Sequence, residues 1–200
     1  MSRRAVTEAD VRAAHRDGRA LAVPADGVVT PAARDLARTL GVPLESAATA
    51  ARRSIVALGA DHGGFPMKEQ LKPVVESLGF EVLDLGTHST DAVDYPDFAV
   101  AVAQAVAEGR AWRGIMVDGA GIGSAMAANK VAGVRAALCY DLTTAKNARE
   151  HNDASVLTLG GMLIGPRLAA DIVGAFLQTP FGGGRHQARV EKVNALDAGR

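Results

Sequence analysis

The residues best suited to chemistry in this chain sit where apolar runs give way to turns. Val117-Asp118-Gly119-Ala120-Gly121-Ile122-Gly123-Ser124 follows the apolar run Gly114-Ile115-Met116-Val117 and precedes a helical pattern over 125–130. A strand, a glycine-rich turn and a helix in that order aim backbone N–H groups and a helix N-terminus at whatever lies above the sheet, and an anion is the natural guest. Glycines at alternate positions let the backbone come close to that guest. Asp118 stands at the lip of the turn, either as a reacting carboxylate or as the cap of the following helix.

Two further constellations carry polar chemistry. Asp61-His62, followed by Gly63-Gly64, puts a carboxylate and an imidazole at the end of another apolar run. Histidine transfers protons near neutral pH and contacts phosphate when charged; the plainer reading is a turn-capping Asp beside a solvated His. Behind Gly182-Gly183-Gly184, Arg185 and Arg189 lie four residues apart, on one face of a helix, and guanidinium forks match phosphate oxygens. His62, His88, His151 and His186 lack close ligand spacing, so no metal is expected. A dinucleotide site is a rival, because Asp141 follows the glycines by about 20 residues, yet these run G-x-G-x-G rather than G-x-G-x-x-G.

Holding these groups in place falls to a regular alternation of elements. Strand-like runs over 55–59, 80–85, 114–117, 134–139 and 156–159 alternate with helical patterns over 66–78, 97–108, 125–130, 143–150, 166–177 and 187–196. Strands that are apolar nearly throughout imply a five-stranded parallel sheet covered by helices on both faces, a three-layer α/β fold. Ligands of such sheets sit at the carboxyl ends of the strands, where Asp61, His62, Asp118 and Gly160-Gly161 fall. His151 and Asn152 precede the fifth strand, so they reach that cleft only from another direction or another subunit. A site at a dimer interface reconciles the two. No internal repeat is detected.

Composition bounds the rest. With 22 basic and 22 acidic residues the formal charge is zero, so no global field recruits nucleic acid or an anionic membrane, and any phosphate specificity must be local. The single cysteine, Cys139, lies in an apolar run and reads as a buried structural thiol in a reducing compartment. The sequence holds no apolar run long enough to span a membrane and no secretory signal pattern, and a soluble, cytoplasmic protein is expected. Residues 1–50 read as a separate helical unit. Thr7-Glu8-Ala9-Asp10 resembles a capping box, Gly18 supplies a stop, Thr30 caps a helix that starts at Pro31, and Gly41 ends it. Two helices this short bury little surface by themselves, and residues 46–54 read as a linker.

Taken together, Gly59-Ala60-Asp61-His62-Gly63-Gly64-Phe65, Asp94-Tyr95-Pro96, Gly119-Ala120-Gly121-Ile122-Gly123, Ala127-Ala128-Asn129-Lys130, Gly133-Val134-Arg135-Ala136, Arg149-Glu150-His151-Asn152-Asp153 and Gly184-Arg185-His186-Gln187-Ala188-Arg189 resemble the ribose-5-phosphate isomerase B family, which includes the galactose-6-phosphate isomerase subunits. The resemblance spans roughly residues 54–198. It implies a Rossmann-like sheet, a homodimer or homotetramer with sites between subunits, no cofactor, and interconversion of phosphorylated aldoses and ketoses through an enediol. By position, Asp61 and His62 would touch the substrate, His151 would assist ring opening, Asn152 would hold a hydroxyl and Tyr95 would line the site. Arg185 and Arg189 would bind phosphate. The amides of Gly119, Ala120, Gly121 and Gly123 would stabilise the enediolate, as preorganised donors do.

Three positions depart from that pattern. Asp118 stands where many members carry a catalytic cysteine, Ala120 where they carry Thr or Ser, and Met162 where they carry an arginine after the fifth strand. The family's other base, a glutamate, would fall on Ser124. Asp118 is therefore expected to move the proton between C1 and C2, a task for which burial must raise its basicity. The alternative is a sugar-phosphate binder or structural member of an assembly that has lost activity. The first 50 residues lie outside the family pattern and resemble extensions on proteins associated with bacterial microcompartments, which implies an assembly partner and localisation inside such a compartment.

Overall fold

The computed structural model describes residues 4–16, 20–47, 49 and 54–199, and the chain divides into two compact units, Met1–Arg53 and Ser54–Arg200. In the smaller unit β1 (Ala5–Val6), α1 (Glu8–Arg16) and β2 (Leu21–Val23) are followed by β3 (Val28–Val29), α2 (Pro31–Leu40) and β4 (Leu44–Ser46). Its helices begin as their caps dictate. The Asp10 carboxylate accepts from the Thr7 amide and hydroxyl, both at 2.8 Å. Thr30 Oγ1 accepts from the Ala33 amide ahead of Pro31, and Gly41 closes α2 in the left-handed region. Gly18, expected as the stop of α1, and most of the expected linker lie outside the described residues.

This unit is more than two helices. β1 pairs in parallel with β3, Ala5 opposite Val28, and β2 with β4, Leu21 opposite Leu44, both at a separation of 23 residues. The expectation of no internal repeat is thereby corrected. Val6, Thr7, Ala9, Ala14, Gly18 and Leu21 recur as Val29, Thr30, Ala32, Ala37, Gly41 and Leu44. Divergence of the remaining residues hides that period in the sequence, whereas strand pairing exposes it. The four short strands also supply what two helices lack. Val6, Val11, Ala14, Leu21, Ala33, Ala37 and Val42 close into a small core of the unit's own.

In the larger unit β5 (Ile55–Ala60), α3 (Phe65–Ser77), β6 (Glu81–Asp84), α4 (Tyr95–Ala107), β7 (Arg113–Asp118), α5 (Ile122–Ala128), β8 (Ala136–Leu138), α6 (Leu142–Glu150), β9 (Val156–Gly160), α7 (Pro166–Gln178) and α8 (Gln187–Ala195) follow in turn. The five strands form one parallel sheet in the order β6-β5-β7-β9-β8. Alternate strand residues point to opposite faces, and both faces are apolar. Val56, Leu58, Ile115, Val117, Leu157 and Leu159 pack with Leu71, Ile172 and Phe176 on one side, while Ala57 and Val156 pack with Val102, Ala105 and Ala128 on the other. The result is the three-layer, Rossmann-like arrangement expected from the apolar strands.

The most deeply buried charged side chain of this frame is that of Lys68. Lys68 of α3 is fully inaccessible and donates to Asp84 Oδ1 at 2.7 Å, while the Asp84 carboxylate also accepts from Lys72 and from the Gly86 amide. Burial pushes the Asp84 carboxyl up, but the hydrogen bonds from Lys68 and Lys72 outweigh it and bring it down to about 2. A carboxyl lowered on folding stabilises the protein above its unfolded value of about 4 and loses that contribution as the pH falls towards its folded value; the amount is about 2 kcal/mol. Asp84→Asn should therefore lower stability at neutral pH and flatten the unfolding free energy between about pH 4 and 2. Urea denaturation at stepped pH measures it, and an unaltered acid limb would remove Asp84 from the account.

Candidate active site

From β5 the chain moves outward to β6, then crosses back to β7 on the other side. The carboxyl ends of β5 and β7 therefore flank the switch point of the sheet, the place where open α/β sheets bind ligands. Asp61 follows β5, Asp118 ends β7, and the Asp61 amide donates to the Val117 carbonyl at 3.2 Å. Asp61 is nearly buried, and its Oδ1 accepts from the Gly64 amide at 2.8 Å. His62 is exposed, with Nδ1 3.1 Å from the Val93 carbonyl and 3.3 Å from the Val93 amide, which ties it to the segment leading into Tyr95. Tyr95 lies over the glycine turn. A side chain on Gly123 would meet its ring at 2.5–2.6 Å and its hydroxyl at 2.7 Å, so only glycine admits the tyrosine here.

Asp118 is buried and occupied. Oδ1 accepts from the Ala120 amide at 2.8 Å and from the Gly121 amide, and Oδ2 accepts from the Ser124 amide at 3.1 Å and from the Ser124 hydroxyl. Gly121, at φ +78°, turns the backbone so that these donors converge, and a side chain there would strike Leu138. The carboxylate thus does cap the turn and α5. Two of the four amides expected to receive an enediolate, those of Ala120 and Gly121, are given to Asp118 instead, while it leaves those of Gly119 and Gly123 alone. Above the turn Met162, highly exposed, donates its amide to the Gly119 carbonyl at 3.1 Å, and the Tyr140 hydroxyl donates to the Ala120 carbonyl at 2.7 Å.

A second cluster gathers at the amino end of β9. The rings of His151 and His186 stack with centroids 4.1 Å apart, and Asn147 Nδ2 lies 2.8 Å from His151 Nδ1. Asn152 Nδ2 donates to the Asn147 carbonyl at 3.3 Å. Arg185 and Arg189 are exposed and flank the pair. Burial, the His151 ring and the two guanidiniums hold His186 below the ordinary histidine value. A cleft of about 390 Å³ opens beside Asn147 and Asn152, between β8 and α6.

The chain therefore brings together Asp61, His62, Tyr95, Asp118 and the glycine turn at one end of the sheet, and His151, Asn152, Arg185 and Arg189 at the other. Gly114 pairs with Val156 and Asp118 with Gly160, so the two ends are separated by four strand residues, about 13 Å. Asp141, the acid a dinucleotide site would need, is the N-cap of α6, its Oδ1 accepting from the Thr144 amide at 2.8 Å. Burial pushes the Cys139 thiol up to about 11, which keeps it protonated and unreactive. Sequence reasoning missed Asn147 and His186 as partners of His151. The four-residue spacing of Asn147 and His151 on one helix was the available signal; the histidine stack had none.

The larger unit finds its counterpart among known proteins. The model of the Ribose/Galactose Isomerase family matches residues 56–193. The chain belongs to this family. Similar members of the Ribose/Galactose Isomerase family are the ribose-5-phosphate isomerase B of Escherichia coli, 43% identical over 145 residues that cover 72% of this chain and 97% of that protein, and the D-erythrulose-4-phosphate isomerase of Pectobacterium atrosepticum, 40% identical over 139 residues, 69% of this chain and 91% of that one. The solved structure of the type B ribose 5-phosphate isomerase of Trypanosoma brucei matches with a TM-score of 0.70 at 50% identity, covering 72% of this chain and 99% of that one. As a Ribose/Galactose Isomerase family member the chain is an isomerase of sugar phosphates, and its matched span falls within Ser54–Arg200.

Proposed function

We propose that this isomerase interconverts a phosphorylated aldose and its ketose, ribose 5-phosphate and ribulose 5-phosphate foremost, at a site completed by a second copy of the chain. The observation that carries this reading is the division of the polar residues between opposite ends of one sheet. In a two-fold dimer each patch meets the other patch of its partner, so the Asp61/Asp118 end of one protomer joins the His151/Arg185 end of the next. Arg185 and Arg189 bind the phosphate, His151 delivers a proton to the ring oxygen, and Asn152 holds a hydroxyl of the opened chain. Asp61 and His62 touch substrate oxygens, and Tyr95 lines the site.

Asp118 then takes the proton from C2 as that electron pair forms the second C1–C2 bond and the carbonyl pair moves onto O1, and it returns the proton to C1 as a second proton passes from the C2 hydroxyl to O1 and the C2 carbonyl forms. Oδ1 is fixed by two immobile amides, whereas one of the two donors on Oδ2 is the Ser124 hydroxyl, which rotates. Oδ2 is therefore the oxygen that can be released for the proton. The amides of Gly119 and Gly123, which Asp118 does not engage, support the enediolate oxygen.

A second reading is favoured by the same carboxylate. With four donors its acceptor sites are filled, which suits a purely structural Asp118 in a sugar-phosphate-binding protein or in a member of an assembly such as a bacterial microcompartment. Incubation with ribose 5-phosphate, allose 6-phosphate and tetrulose phosphates in deuterated water separates the readings: solvent deuterium enters the carbon next to the carbonyl if the isomerase reading holds, and exchange with none of them selects the binder. We assign the smaller unit a docking role in such an assembly inside the cytoplasm. Removing residues 1–53 should leave the larger unit folded and active, because each unit has its own core, while co-localisation with shell proteins is lost. Circular dichroism and fluorescence imaging of the truncated protein test both halves of that statement, and a truncated protein that fails to fold would make the unit structural.

A further inference from the structure

Two stretches that mark the family resemblance, Gly133-Val134-Arg135-Ala136 and Arg149-Glu150-His151-Asn152-Asp153, include charged residues with no part in the reaction as drawn: Arg135, Arg149 and Asp153. In the structure they form one knot. Asp153 adopts φ +45°, the only positive φ outside glycine among the described residues, in the turn between His151 and β9. Its carboxylate accepts from the buried Arg149 at 2.7 Å and from Arg135 at 3.1 Å, with Arg113 at 3.5 Å.

The fork of Arg135 reaches two separate elements. Nε donates to the Asn152 carbonyl at 3.0 Å, Nη2 donates to the Asp153 carbonyl at 2.8 Å, and Nη1 donates to Asn194 Oδ1 of α8 at 2.7 Å. One guanidinium therefore grips the turn that carries His151 and Asn152 and the helix that carries Arg189. A planar, fixed fork keeps such partners at a set spacing, which a lysine ammonium cannot do.

We propose that Arg135 is a positioning residue that locks the phosphate-binding helix α8, through Asn194, to the His151–Asn152 turn, so that the phosphate and the sugar ring are held at one separation. This deepens the isomerase reading and rests on it. Without the lock, α8 stays folded through its buried Val190 but no longer keeps Arg185 and Arg189 beside His186.

The test uses the full-length protein with inorganic phosphate as the probe, because phosphate binding needs no turnover. Asn194 is exposed, so Asn194→Ala removes one arm of the fork with little risk to folding. Calorimetry should show phosphate bound about tenfold more weakly by Asn194→Ala, and ring NMR should show the His186 titration moving up towards the ordinary histidine value as the guanidiniums drift away. Asn194→Asp, which keeps an acceptor for Arg135, should restore both, and Arg135→Met should reproduce the loss and also shift the His151 ring signals. Phosphate affinity within twofold of wild type in Asn194→Ala, failure of Asn194→Asp to restore it, or no phosphate binding by the wild type would each overturn the lock. Wild-type turnover of ribose 5-phosphate, measured on the same samples, decides the isomerase reading separately.

Discussion

Asp118→Asn should lower kcat for ribose 5-phosphate by about 10²- to 10⁴-fold, the range over which a positioned acid–base group acts, and should slow solvent exchange at the carbon next to the carbonyl by a like factor. An asparagine has one acceptor oxygen where the carboxylate has two, so its NH₂ faces either the Ala120 and Gly121 amides or the Ser124 amide and hydroxyl. A buried donor left facing donors costs about 1–3 kcal/mol, and the melting temperature falls as well. Turnover must accordingly be expressed per folded molecule. Asp118→Cys places in the turn the residue that the family resemblance implies there and should recover part of the lost kcat, since a thiolate also abstracts protons and accepts hydrogen bonds. If Asp118→Asn loses stability yet keeps kcat within a few-fold of wild type, Asp118 is a cap and nothing more.

Mixing two inactive variants should regenerate activity. In a dimer built from one Asp118→Asn chain and one His151→Ala chain, one composite site carries both substitutions and the other carries neither. Random reassortment of equal amounts makes half of the dimers mixed, each with one intact site, so activity returns to about a quarter of wild type. The two residues stand at opposite ends of the β7–β9 pair within a chain, which is why no rearrangement inside one protomer yields the same result. Activity that stays at the sum of the separate variants would show that each chain works alone and would overturn the shared site. Steady-state turnover after denaturation and refolding of the mixture is the measurement.

Much of the larger unit was legible before any coordinates. Apolar strands alternating with helices led to the parallel sheet, and each of the expected strands and helices has its counterpart within a few residues. Short-range chemistry was equally open to reading: Thr30 with Pro31 and Gly41 bracket α2 as their types require, because capping involves only residues three or four apart. The smaller unit was read less well. Its strands are two or three residues long, too short for an alternating pattern to register, and its repeat became visible only when Ala5 lay against Val28.

The glycine turn divides along the same line. The order of elements along the chain already placed Asp118 at the end of a strand beside a glycine-rich turn, put Asp61 and His62 at that same end of the sheet, and kept His151 and Asn152 away from it. The folded chain alone reveals that the carboxylate fills two of the turn's own amides and takes the Ser124 hydroxyl, that His186 lies against His151, and that Arg135 reaches Asn152 and Asp153 on one side and Asn194, 59 residues along the chain from it, on the other. Those partnerships depend on side-chain directions and on the meeting of distant segments, and such contacts leave no period and no spacing in the sequence.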